Sequence, residues 1–332
     1  LRQLAPDAVF LTRRDGDLRE WSEVKRLFRE YQPESVIHLA ARVAGVKSNA
    51  TKNADLYCEN IQINTNVMDA AREYQVSRLV SVLSACAYPE VQGRAASEDD
   101  LHNGTHFKGN LGYGFSKRML DLHTRLLWEQ YGCRFSSITP VTVYGPNDNW
   151  DLDEGHVIGA LIHKCFLAKQ NHRPFEIWGS GNAVRQFIFS ADVARILLKS
   201  LSNFWGPDTI IVAPDTGISI RELAGHIAKI MAFQGLIQFN PNKPEGQRIR
   251  IMKSKRFSKI FGHPPFTPLE QGLEETIRWF IRHRELTQGK NLENPSLSGE
   301  ESTTVQAEIL PSSTSSSGLL KSTETLTKGL HP

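Results

Sequence analysis

The chain has 332 residues, enough for one large α/β domain or two smaller ones. Its 39 basic and 36 acidic side chains nearly balance, so nothing in the composition asks for nucleic acid or an anionic membrane as partner. The four cysteines, Cys58, Cys86, Cys133 and Cys165, show no C-x-x-C spacing, which argues against a disulfide framework or zinc site and for a reducing, cytoplasmic compartment.

No apolar run approaches the ~20 residues a membrane helix needs. The opening residues, which begin at Leu1 rather than Met, do not read as a signal peptide. Asp7–Leu11 is a short apolar strand candidate, followed by a charged loop, Arg13 to Asp17. Leu18 to Tyr31 has helical spacing, with Trp21, Val24, Leu27 and Phe28 on one side, and Pro33 ends it. Ser35 to Ala41 reads as a buried strand, Ala54 to Tyr74 as a helix, and Arg78 to Leu83 as the next strand. A long periodic run from Leu111 to Tyr131 predicts a helix, and Phe135 to Pro140 a further strand before Val143-Tyr144-Gly145-Pro146. Strands alternating with crossover-length helices predict a parallel, doubly wound sheet of Rossmann type. Ligands of such sheets bind beyond the carboxyl ends of the strands, where Arg14, Ala41 and Ser84 stand.

Beyond Pro146 the pattern is mixed. A helix over His156 to Leu167 and a strand over Phe175 to Trp178 precede Arg185-Gln186-Phe187-Ile188-Phe189 and a helix after Ser190. Thr209 to Ala213 reads as a strand, and Ser219 with Glu222 as the capping box of the helix that follows. Leu269 to His283 is the last expected element. From Leu286 onward Ser, Thr, Pro, Gly and Glu dominate, which predicts a disordered tail over 286–332.

The chemistry concentrates at Ser84, Tyr113 and Lys117. Tyr113 and Lys117 are four residues apart on a helix and so share one face. An ammonium beside a phenol favours the phenolate and lowers a pKa that starts near ~10. Ser84, at the end of a strand, could meet the same carbonyl oxygen, and the set suits hydride transfer to or from a carbonyl. The same spacing also suits a plain surface Tyr–Lys pair.

Taken with Leu39-Ala40-Ala41-Arg42-Val43-Ala44-Gly45, Ser84-Ala85-Cys86-Ala87-Tyr88-Pro89, Tyr144-Gly145-Pro146-Asn147-Asp148-Asn149, His156-Val157-Ile158 and Trp178-Gly179-Ser180-Gly181, these residues resemble the extended short-chain dehydrogenase/reductase family of nucleotide-sugar enzymes. Within it they are most similar to the epimerase-reductases that act on GDP-4-keto-6-deoxymannose. The resemblance spans about Leu1 to His283. It implies that Cys86 and His156 exchange protons at C3 and C5 from opposite sides of the sugar, and that Ser84, Tyr113 and Lys117 serve the reduction at C4. Each of the first two has a bland alternative: a small buried thiol, and a histidine satisfying a loop.

The resemblance further implies that Arg14 (or Arg13), Ala41, Tyr113, Lys117, Pro140 and His156 line a cofactor, with arginine favouring NADP over NAD. Lys164, Trp178 and Arg185 would hold the GDP-sugar, although Trp178 also suits core packing. The basic run Arg248, Arg250, Lys253, Lys255, Arg256 and Lys259 reads as a solvated face more than as a phosphate site. Residues 1–150 with 185–212 are the expected cofactor-binding unit, and 151–184 with 213–285 the smaller α+β substrate unit. A homodimer is expected, and no metal.

The family's first strand and G-x-x-G-x-x-G turn are not in the sequence, and Leu1-Arg2-Gln3-Leu4 resembles the end of the helix after that turn. Ala44 stands where the family has Gly, Thr142 where it has Asn, and Lys253 near an acidic position. Two alternatives stay open: a related epimerase or reductase on another nucleotide sugar, and a non-catalytic paralogue lacking the glycine loop.

Overall fold

The computed structural model describes residues 1–45, 49, 51–243, 245–290 and 306–310, with only the backbone described at 285–290 and 306–310. Strands and helices first alternate: β1 (Val9–Thr12), α1 (Trp21–Tyr31), β2 (Ser35–His38), α2 (Asn53–Glu73), β3 (Arg78–Val82), α3 (Leu111–Tyr131) and β4 (Phe135–Pro140). Next come β5 (Thr142–Tyr144), α4 (Val157–Gln170), β6 (Phe175–Trp178), β7 (Val184–Arg185), β8 (Phe187–Phe189), α5 (Ser190–Ser202) and β9 (Ile210–Val212). The remainder comprises β10 (Ile218–Ser219), α6 (Ile220–Ile230), β11 (Ile237–Asn240), β12 (Ile249–Arg250), α7 (Phe257–Phe261), α8 (Leu269–Lys290) and β13 (Gln306–Leu310).

The main sheet has the order β1-β13-β2-β3-β4-β9. β2, β3, β4 and β9 pair in parallel, as the helical crossovers between them require. Such strands are covered on both faces, and β4 is buried at every residue. The helix ends follow local chemistry. Gly132 closes α3 with a left-handed φ of 67°, and Ser219 with Glu222 makes the expected capping box before α6.

Two findings revise the expected tail. α8 continues to Lys290, and Gln306–Leu310 pairs antiparallel with both β1 and β2. β1 and β2 lie one strand position apart, so each presents unpaired N–H and C=O groups toward the gap. A five-residue segment satisfies both edges at once. The rest of the tail, 291–305 and 311–332, lies outside the described residues.

Two apolar cores organise the chain. One gathers Val24, Leu27 and Phe28 of α1, the buried faces of β2 to β4, and Val193, Ile196 and Leu197 of α5. The other joins Ile158, Leu161 and Ile162 of α4 to Phe175, Ile177, Leu223, Ile227, Leu273 and Ile277. Met252 and Phe261, expected in the substrate unit, pack instead on the first core: Met252 bridges to Ala96, and α7 brings Phe257 and Phe261 against it. Among the described residues no helix is long and apolar enough to cross a membrane, and no cluster of His, Cys, Asp and Glu could hold a metal ion.

Candidate active site

The site is built where β3 ends. Ser84 leaves the strand in extended conformation, and its Oγ accepts the Cys86 N–H at 3.2 Å, closing a short 3-10 turn over Ala85–Ala87. That bond puts the Ser84 hydroxyl and the Cys86 thiol on one turn at the carboxyl edge of the sheet. α3 begins against this turn because its first residues are small. A Cβ on Gly112 would fall 1.9 Å from Asn53 O, and one on Gly114 would fall 2.5 Å from Cys86 O. Asn53 Oδ1 also accepts the Gly112 N–H at 2.8 Å, pinning the start of α3 to the start of α2.

Between those glycines Tyr113 reaches the turn, with its hydroxyl near enough to the Ser84 side chain to feel it electrostatically. One helical turn on, Lys117 is 2% exposed, and its Nζ donates to Val82 O at 2.8 Å. Ser84, Tyr113 and Lys117 therefore meet at the edge of β3, and the surface-pair alternative does not describe Lys117.

The electrostatics differ from the sequence expectation. Burial pushes the Tyr113 phenol well above its usual pKa, the neighbouring Cys86 adds to this, and the nearby Ser84 hydroxyl pulls the other way. Lys117 does not offset the rise, because burial lets it lose its charge before the phenol ionises. In this arrangement Tyr113 keeps its proton and is a donor. Burial also brings Lys117 down to about 8. Beneath it His38, fully buried and hydrogen-bonded to Asn64 Oδ1 at 3.0 Å, is lowered to about 3 by burial first and by Lys117 second.

His156 stands at the N-terminus of α4. Its Nδ1 lies 3.4 Å from Asp148 Oδ1, and that hydrogen bond raises its pKa against the opposing effect of burial. The loop before it packs on the loop after β2: Glu154 Oε2 accepts the Gly45 N–H at 3.0 Å, and a Cβ on Gly45 would strike Asp153 O. His156 is thus brought to the same edge of the sheet, although no direct contact joins it to Cys86, Ser84 or Tyr113 among the described residues.

The remaining expected residues fall into two groups. Arg14 is exposed in the turn after β1, Ala41 is buried just beyond β2, and Pro140 is buried at the end of β4. On the other side Lys164 Nζ lies 3.9 Å from the centre of the Trp178 ring. Trp178 is thus partly exposed and faced by a cation. Arg185, on β7, is held by the carbonyls of Val184, Gln247 and Arg248, and burial lowers it to about 10.

Sequence reasoning missed three residues here. Arg250 is no part of a solvated face: its Nη1 donates to Cys86 Sγ at 3.3 Å. Within the same basic run Lys255 and Arg256 do stay outward, paired with Asp99 and Asp208. Asp148 was visible only as part of a motif, and Lys243, 5.5 Å from the Trp178 ring centre, carried no signal of its own.

Residues 2–213 match the NAD dependent epimerase/dehydratase family. The chain is 37% identical over 279 residues to a GDP-L-fucose synthase of Dictyostelium discoideum, covering 83% of this chain and 87% of that protein. A probable GDP-L-fucose synthase of Drosophila melanogaster is 31% identical over 283 residues, covering 82% and 88%. The crystal structure of a GDP-L-fucose synthetase from Naegleria fowleri bound to NADP superimposes with a TM-score of 0.78 at 33% identity, covering 83% of this chain and 84% of that one. A match running from the second residue to the end of β9, and relatives above 30% identity along most of the chain, establish that it belongs to the NAD dependent epimerase/dehydratase family.

Proposed function

We infer that the chain converts GDP-4-keto-6-deoxy-D-mannose to GDP-L-fucose, by epimerisation at C3 and C5 and NADPH-dependent reduction at C4. The observation that carries this is the turn after β3, where Ser84, close to Tyr113, and Cys86 share three residues of backbone. One half serves a carbonyl oxygen; the other offers a thiol for carbon acidity. The relatives' names support the same substrate.

In the epimerisation a proton leaves the carbon beside the 4-keto group, and its electron pair passes into an enolate. A proton then returns from the other face. Asp148 favours the protonated form of His156, which suits it to the donor role and leaves acceptance to Cys86. In the reduction Ser84 and Tyr113 hold the C4 oxygen, and Tyr113, which keeps its proton at neutral pH, gives it up as the alkoxide forms.

NADPH, when bound, supplies the hydride. The residues present fit its nicotinamide half. Buried Lys117 has Val82 O as acceptor among the described residues, leaving two N–H bonds for ribose hydroxyls. Ala41, Pro140 and His156 belong to the same edge, and Arg14 suits a 2′-phosphate. The described residues contain no G-x-x-G-x-x-G turn for the pyrophosphate. Trp178 with Lys164, and Arg185, suit the base and diphosphate of the GDP-sugar. The cofactor unit is 1–150 with 185–212 and the substrate unit 151–184 with 213–285, less the segment from Met252 to Phe261. Tyr57, Leu111, Leu122 and Leu126 remain exposed on α2 and α3, which supports a homodimer through that face. A cytoplasmic location accords with the free thiols.

The test is product analysis by NMR after incubation with GDP-4-keto-6-deoxymannose and NADPH. GDP-L-fucose is the expected product. A 4-reduced sugar with C3 and C5 uninverted would make the protein a plain reductase.

A further inference from the structure

The carbonyl chemistry leaves Arg250 unexplained. β12 runs parallel to β7 with Arg250 directly opposite Arg185. Like charges opposite one another on neighbouring strands destabilise a sheet. Glu245 offsets the repulsion at Arg185 only in part, and among the described residues no carboxylate hydrogen-bonds either guanidinium. Arg185 is held by three carbonyls, and Arg250 by Gln247 Oε1 at 3.0 Å and Cys86 Sγ at 3.3 Å. A costly arrangement that the fold nonetheless keeps marks a functional position.

The segment carrying Arg250 is clamped on both sides. Ala96 donates to Ile251 O at 2.9 Å and accepts from Lys253 N at 2.8 Å. Buried Gln186 accepts the Met252 N–H at 2.8 Å and donates to Met252 O at 3.0 Å. With the backbone fixed on β7 and at Ala96, the guanidinium is delivered to the sulfur by the fold. Arginine has donors only, so Sγ is the acceptor in this contact.

We propose that Arg250 is a positioning residue for the epimerisation, holding Cys86 Sγ as a hydrogen-bond acceptor and compensating the negative charge on the sulfur whenever its proton is away. This rests on the reading of Cys86 as the group that accepts the substrate proton. In that step the C–H bond breaks and an S–H bond forms. The C–H pair becomes the enolate double bond, and the carbonyl π pair moves to the C4 oxygen. Arg250 donates to the sulfur throughout and exchanges no proton with the substrate. Arg185 keeps a second positive charge beside the first.

Two measurements test it on Arg250→Gln and Arg250→Lys, with Arg248→Gln at the exposed neighbouring position as control. The first is alkylation of the unliganded protein by iodoacetamide, followed peptide by peptide, with exposed Cys58 as internal reference. The second is deuterium washout into C3 and C5 of the keto sugar. Arg250→Gln should slow both by roughly tenfold or more at Cys86 while Cys58 is unaffected. The KM for the GDP-sugar should stay within about threefold. Arg250→Lys should restore part of each rate, and it carries the test alone if the Gln variant does not fold. Unchanged alkylation of Cys86 would overturn the proposal. So would a raised KM with turnover intact, which would make Arg250 a diphosphate ligand. Full washout by Cys86→Ser would instead remove the reading of Cys86 beneath it.

Discussion

Lys117→Met should stabilise the unliganded protein while abolishing its activity. Lys117 is 2% exposed, with a single carbonyl as acceptor among the described residues, and burial depresses its pKa from 10.5 to about 8. That shift corresponds to about 3 kcal/mol by which the fold disfavours the charged form. Methionine keeps most of the aliphatic stem and removes the ammonium. It forfeits the bond to Val82 O, at about 1–2 kcal/mol, so the net gain at pH 7 is about 1–2 kcal/mol. The sign with pH is definite. Below 8 both folded and unfolded chains carry the proton and the cost is fully present. Between 8 and 10.5 the unfolded chain binds a proton that the folded one does not, so wild-type stability rises with pH and the variant's advantage fades. Urea unfolding at several pH values between 6.5 and 10 reads this directly. A variant less stable than wild type by ~1 kcal/mol at pH 7 would refute the view of Lys117 as a strained functional group.

Tyr113→Phe removes a proton donor and little volume, so NADPH oxidation should fall ~10²-fold or more with substrate affinity nearly unchanged; near-normal turnover would exclude Tyr113 from the mechanism. Gly112→Ala should cost about 1–3 kcal/mol, because its Cβ would lie 1.9 Å from Asn53 O. The same change at Gly225 of α6, where nothing lies within 4 Å, should instead gain up to about 1 kcal/mol, and equal signs in urea unfolding would contradict the packing described. His38, lowered to about 3, takes up a proton on unfolding at acid pH, so stability is present above 6.5 and lost as pH falls. Between pH 7 and 5 wild type should lose about 2 kcal/mol more than His38→Gln; parallel losses would mean that His38 titrates normally.

The parallel sheet was legible because its strands are continuous apolar runs separated by crossover-length helices, and the Tyr113–Lys117 pair because helical spacing alone puts both on one face. What the sequence concealed depended on direction and burial. The sign of the Tyr113 shift could not be read from a neighbour four residues away, since burial raises the phenol and strips Lys117 of its charge before the phenol ionises. Arg250 sits in a basic run whose other members face solvent or surface carboxylates; only the pairing of β12 with β7, far apart in sequence, turns it to Cys86. Gln306–Leu310 was hidden for a similar reason: five residues in a Ser/Thr-rich stretch form a strand where β1 and β2 offer two open edges. Nothing in the sequence sets Asp148 apart from the rest of its motif; the 3.4 Å contact to His156 does.

Whether one site both epimerises and reduces is tested most directly by Cys86→Ser in D₂O. A hydroxyl of similar size is too weak an acid to exchange carbon-bound protons near neutral pH, whereas Ser84 and Tyr113 are untouched. With GDP-4-keto-6-deoxymannose and NADPH, the wild-type protein should incorporate deuterium at C3 and C5 and yield GDP-L-fucose. The variant should lose exchange at one or both carbons, still oxidise NADPH, and release a 6-deoxyhexose other than fucose. Deuterium entering both carbons at the wild-type rate would contradict the account.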